Sequence, residues 1–269
     1  MFKLKNLLTN ENIKVLDKKG NMRILEYVND LSVTPYSAVN SYFSQKMNVK
    51  KRQVLIEINN DEYTLSAGAM QWTVGDINVS SDVKGVGDLF GKAIKGAVTK
   101  EAAVKPKYNG KGLLMLEPTY RHIFLEDLSE WPDGMVLDDG LFLACESTIE
   151  QKVVMRSNLS SAVFGREGLF NLKLQRNGIV ALESYVPREE LIEIHLDNDV
   201  LKVDGNFAIA WSGNLEFTVE KSTKTLIGSG VSGEGLVNVY RGTGKILLAP
   251  INSNAMLQSH GSPSPIGTL

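Results

Sequence analysis

Histidine, cysteine and paired carboxylates most often carry catalysis or hold metals, and this chain has few of them. Its three histidines are His122, His195 and His260. A metal site on a β-fold needs several histidines and a carboxylate converging on one cavity. Neither H-x-H nor H-E-x-x-H occurs here, so no metal is predicted. Cys145 is the single cysteine and follows the apolar stretch "LFLA". It reads as a buried thiol, because no histidine in the sequence pattern stands ready to activate it. A single cysteine also excludes an internal disulfide and fits a reducing compartment. Asp138 and Asp139 precede Gly140, where turn chemistry accounts for them. The sequence thus assigns no catalytic residue, no metal ligand and no cofactor.

Two glycine-rich stretches invite a phosphate reading, and both fail it. "GSGVSGEG" (228–235) holds G-x-G-x-x-G at Gly228, Gly230 and Gly233, but the apolar run "LVNVY" follows it. A dinucleotide fingerprint needs a helix there, so that phosphate meets a helix N-terminus. "GVGDLFGKA" (85–93) leaves only three residues between Gly87 and Gly91, and Ala93 stands where a P-loop has Ser or Thr.

The elements that would position any site are short apolar runs punctuated by Gly, Asn and Asp, the signature of strands and turns. The 269 residues are 43% hydrophobic and 22% charged, with a net charge of −2 and a pI of about 6.0. That balance excludes a global attraction for DNA and disfavours RNA. No apolar run is long enough for a signal-peptide core or a membrane span, which predicts a cytoplasmic protein.

Two columns of glycines recur. Upstream, Gly68, Gly140 and Gly205 align, each followed by an apolar residue at Ile77, Ile149 or Leu215. Trp72 and Trp211 end the same strand in their copies and are read as packing residues. Downstream, Gly112, Gly168 and Gly235 align, each followed at once by Leu113, Leu169 or Leu236 and later by Ile123, Ile179 or Ile246. All six are read as structural turn or bulge glycines, where a Cβ would clash. "QRNG" (175–178) and "RGTG" (241–244) are read as tight turns between paired strands. The expectation is an all-β chain of three tandem similar units in a pseudo-threefold sandwich or double-stranded β-helix. The units are 53–128, 132–186 and 190–250, after a flank of short strands (1–52) and before a flexible tail (251–269). In the flank, "IKVLDKKGNMRILEY" predicts two strands around Lys19-Gly20, and the stretch after Pro35 is ambiguous.

The first unit carries an extra segment, 84–111, which is rich in lysine. Leu89, Phe90, Ile94, Ala97 and Val98 fit one face of a helix there. Lys84, Lys92, Lys95, Lys100, Lys105 and Lys107 are candidate contacts to an anionic surface, against the plainer reading of a solvated insertion.

"SAGAMQW" (66–72), "FGREGLF" (164–170) and "SGEGLVNVYRGTGKILL" (232–248) together resemble the AIM24 family, over roughly residues 53–250. The resemblance implies tandem units similar to those of the tryptophan RNA-binding attenuation protein, a ring-like trimer and no established enzyme activity. It supplies no catalytic residue to carry over. This chain departs from the family pattern in its N-terminal flank, its lysine-rich insertion and "NGKG" in the first unit. The reading is therefore a non-enzymatic β-scaffold or interaction protein, a symmetric homo-oligomer with a trimer foremost. Three alternatives stand beside it. One is a peripheral adaptor using 84–111 at the inner face of a membrane. Another is an RNA-binding module, and a third is a small-molecule-binding or enzymatic β-barrel.

Overall fold

The computed structural model describes residues 2–80, 105–155, 170–221 and 236–251. Lys84, Lys92, Lys95 and Lys100 of the insertion lie outside the described residues, as do the G-x-G-x-x-G stretch, Gly168, Gly235 and His260.

A hairpin opens the chain: β1 (Ile13–Lys19) and β2 (Met22–Tyr27), turned by Gly20 at φ +53°. The stretch after Pro35 becomes α1 (Ala38–Lys46), the one α-helix among the described residues. None of its residues is buried, and Val39, Tyr42 and Phe43 face solvent.

Strands make up most of the rest. β3 (Arg52–Leu65), β4 (Met70–Ser80), β5 (Lys107–Leu116) and β6 (His122–Asp127) come first. Five short ones follow: β7 (Met135–Leu137), β8 (Phe142–Glu146), β9 (Glu150–Met155), β10 (Phe170–Gln175) and β11 (Ile179–Ser184). The last four are β12 (Ile192–Asp204), β13 (Ala208–Ser212), β14 (Glu216–Lys221) and β15 (Leu236–Leu248).

They form two antiparallel sheets. The first runs β1-β2-β3-β8-β11-β6, with β5 on the other edge of β3 and β4 beyond β5. The second runs β12-β15-β13-β7-β10-β9, with β14 also on β15. The fold is all-β. The short middle strands are divided between the sheets, with β8 and β11 in one and β7, β9 and β10 in the other. This stitching places the largest core cluster across both sheets. It holds Phe124, Phe142 and Leu182 from the first and Leu137, Leu172, Leu174 and Leu247 from the second. Each such side chain contributes about 1.5–3 kcal/mol on leaving water.

The pairing departs from the sequence reading in three places. Gly112, expected in a turn, lies within β5 opposite Gly75 of β4. A Cβ there would come 2.1 Å from the Val74 carbonyl oxygen, so close backbone approach explains the glycine and no turn is needed. "RGTG" (241–244) does not turn either and runs inside β15. Its partner β12 carries one extra residue there, with Asp197 and Asn198 against Thr243 alone, and Asn198 takes φ +51° while Gly242 takes φ +119°. A bulge absorbs the mismatch, so the strand bends and continues. β6, counted with the first unit in the sequence, pairs with β11 instead. "QRNG" does turn, between β10 and β11, with Arg176 and Gly178 at positive φ.

Candidate functional site

Each of Gly68, Gly140 and Gly205 follows a strand and takes a positive φ, at +78°, +84° and +70°. Glycine reaches that region without the steric cost a Cβ brings. The strand after each glycine then carries a register shift. Between Met70 and Trp72 the shift leaves Gln71 unopposed on β5. Between Phe142 and Ala144 it leaves Leu143 unopposed on β11. Between Ala208 and Ala210 it leaves Ile209 unopposed on β15.

Two of these bulge residues tie neighbouring segments together. The Ser66 N–H, two residues before Gly68, donates to the Leu143 carbonyl at 2.8 Å. The Asp138 N–H, two residues before Gly140, donates to the Ile209 carbonyl at 2.9 Å. From these anchors the strands pair outward in the same way. Leu65, Thr64 and Tyr63 face Ala144, Cys145 and Glu146. Leu137, Val136 and Met135 face Ala210, Trp211 and Ser212. These paired residues are buried, apart from the half-buried Glu146.

The third site of this kind is open. Among the described residues β12 pairs with β15 alone and β4 with β5 alone. Among the described residues, the outer edges of these two long strands have no strand partner. Exposed apolar side chains sit on both, Val79 on β4 and Ile192 and Val200 on β12.

Among the described residues, Cys145 and His122 lie on strands of the first sheet and His195 on β12 of the second. Burial pushes the Cys145 thiol up to about 12, against a weaker opposing hydrogen bond from Gln151. His122 is held below the usual histidine range, first by burial and then by the Arg52 guanidinium. His195, largely exposed on β12, meets Glu193 at 2.8 Å. Burial raises the Glu193 carboxyl, but the hydrogen bonds from Arg188 and His195 outweigh it and lower it on balance. Among the described residues no group of three or more His, Cys, Asp or Glu could hold a metal. Of the anionic-surface candidates, Lys105 sits over the Phe142 ring at 4.9 Å and Lys107 opens β5. Trp211 is buried in the second sheet against Phe217 and Tyr240, whereas Trp72 is half-buried on β4.

Two ionic clusters escaped the sequence reading because their members lie far apart along the chain. Glu26 on β2 takes Arg52 at 2.7 Å and Lys50 at 3.2 Å, and both Glu26 and Arg52 are buried. The same guanidinium donates to the carbonyls of Asn48 and Arg121 and to the Asn48 side chain. Glu126 on β6 takes Arg188 at 2.8 Å and a hydrogen bond from the Trp131 indole at 3.2 Å. Lys245 of the other sheet lies over that indole at 4.2 Å. Both clusters fasten elements of the fold to one another. A cleft of about 260 Å³ lies between α1 and the end of β2, where Lys51 pairs with Asp30 at 3.2 Å and Tyr120 also donates to Asp30. No helix among the described residues is long and apolar enough to cross a membrane.

Comparison with known proteins adds three findings. The chain is 27% identical over 197 residues to an uncharacterised protein of Streptococcus pyogenes serotype M6, covering 70% of this chain and 76% of that one. Its fold is similar to that in the crystal structure of a Streptococcus pyogenes protein, with a TM-score of 0.59 and 23% identity. That likeness covers 88% of this chain and 97% of the other. The family model described as mitochondrial biogenesis AIM24 matches residues 45–251, and the chain belongs to that family.

Proposed function

We propose that this AIM24-family chain is a non-enzymatic β-scaffold that works as a symmetric homo-oligomer of three-unit chains, a trimer foremost. The observation that carries the reading is the pair of long strands, β4 and β12, whose outer edges have no strand partner among the described residues. An open edge is a template for another strand, and soluble proteins blunt or cover it. β4 has no proline and one charged residue, Asp76, in eleven. Self-assembly is an economical cover, since closed symmetry pairs the same two edges in every copy.

The three-unit reading is supported by the glycine, bulge and strand sequence that recurs at Gly68, Gly140 and Gly205. On this reading the units run from β3 to β5, β6 to β11 and β12 to β15, which moves β6 from the first unit, as read from the sequence, to the second. The non-enzymatic reading is supported by the placement of the described reactive groups, with Cys145 sealed in the core and His122 and His195 in different sheets.

Native mass spectrometry of the full chain tests the proposal. The expected result is one closed oligomer with a mass that is a multiple of 29.6 kDa. A species of 29.6 kDa alone at micromolar concentration overturns it.

A further inference from the structure

We infer that the outer edge of β12 receives β4 of a second copy of this chain, in a register fixed by the two junctions already formed within the chain. This rests on the homo-oligomer reading and deepens it by naming both strands and their alignment.

The two internal junctions follow one rule. The residue two before the positive-φ glycine donates its N–H to the carbonyl of the bulge residue in the following unit, as Ser66 does to Leu143 and Asp138 to Ile209. The residue three before the glycine faces the residue just after the bulge, as Leu65 faces Ala144 and Leu137 faces Ala210. The third unit has the donor half of this junction, Val203, two before Gly205. The first unit has the acceptor half, its bulge at Gln71. Within one chain these halves belong to different sheets and are not paired.

Applying the rule across copies gives a definite alignment. The Val203 N–H donates to the Gln71 carbonyl. Lys202 faces Trp72, Leu201 faces Thr73 and Val200 faces Val74. The chemistry of these pairs suits the contact. Position five before the glycine is Tyr63, Met135 or Val200. The first two are fully covered at their junctions, at 1% and 0% exposed, while Val200 is 46% exposed. Lys202 stands where the other units have leucine, and the register sets its ammonium against the Trp72 indole, a favourable cation–π partner. Donor strand and acceptor strand lie on different parts of the chain, so the contact is head-to-tail. Such contacts close into rings when the rotation permits.

A cysteine pair tests the register. Val200 and Val74 fall at a non-hydrogen-bonded position of the antiparallel pair, where facing side chains come close enough for a disulfide. The full-length Val200→Cys, Val74→Cys double variant is oxidised and run on a non-reducing gel, with each single variant alongside. The native Cys145 is buried and does not compete. The expected result is covalent multimers from the double variant and none from either single. If native mass spectrometry gives an oligomer but the double variant stays unlinked, the β4–β12 junction is wrong while the homo-oligomer stands. A link at the mass of one chain, or multimers from a single variant, also overturns the junction. A monomer by native mass overturns the underlying reading itself.

Discussion

Gly68 and Gly134 take nearly the same backbone conformation, at φ +78° and +81°, yet replacing them with alanine should have very different consequences. A left-handed conformation costs an L-residue about 1–2 kcal/mol. Lower freedom in the unfolded chain returns about 0.4–1 kcal/mol of that. At Gly68 no described atom lies within 4 Å of a new Cβ, so the net loss is about 1 kcal/mol. For a chain of this size that is about 2–4 °C in Tm. At Gly134 the same Cβ would sit 2.0 Å from the Leu174 carbonyl oxygen and 3.1 Å from the Gln175 Cα. Both are backbone, so relief requires the strands to part by about an ångström. The residue after Gly134 is Met135, which pairs with Leu174, and both side chains are fully buried. Prising that pair apart disturbs the core shared by the two sheets, and the cost exceeds about 4 kcal/mol. Guanidinium unfolding followed by the fluorescence of the buried Trp131 and Trp211 measures both variants. The reasoning fails if Gly134→Ala lies within 1 kcal/mol of Gly68→Ala, because strain in φ alone would then suffice.

Three further outcomes are expected. Glu26→Gln leaves the buried Arg52 without its charged partner and should cost about 3–5 kcal/mol in the same denaturation assay; a loss below about 1 kcal/mol would mean that water reaches the pair. Native Cys145 should resist a thiol reagent at pH 8, since burial holds its thiol near about 12, and should react only after unfolding; fast labelling of folded protein would contradict that burial. Because the folded state holds His122 below its ordinary value of 6.5, the unfolded chain takes up this proton first. Stability should therefore fall as pH drops below about 6.5, until the folded histidine also protonates, and His122→Gln should flatten that part of the profile. Carboxylates held low, such as Asp133 beside Lys173, act in a separate and more acidic window.

The sequence disclosed local features and hid pairwise ones. Gly68, Gly140 and Gly205 were legible because a positive φ is a property of one residue and its neighbours, and glycine is its usual solution. The β1–β2 hairpin was legible for the same reason, through Lys19-Gly20. The downstream column misled at Gly112, whose glycine answers to the carbonyl of Val74 on another strand. Nothing in "NGKG" itself separates a turn from a close approach. The Glu26–Arg52 and Glu126–Arg188 pairs were equally hidden, because only the sheet order brings their members together.

"RGTG" shows how far a turn depends on the strand across from it. By composition both it and "QRNG" read as turns, yet it stays extended and "QRNG" turns. The difference lies in the partner strand. β12 is continuous past its bulge and offers β15 an unbroken ladder on both sides of Gly242, so continuing costs only the bulge. In the middle segment the same stretch is split, with β6 in one sheet and β7 in the other, and β10 and β11 must part to follow them. Whether a glycine pair bends or turns is thus decided by the strand across from it. The same dependence applies to β12, whose inner edge is satisfied by β15 and whose outer edge has no strand partner among the described residues.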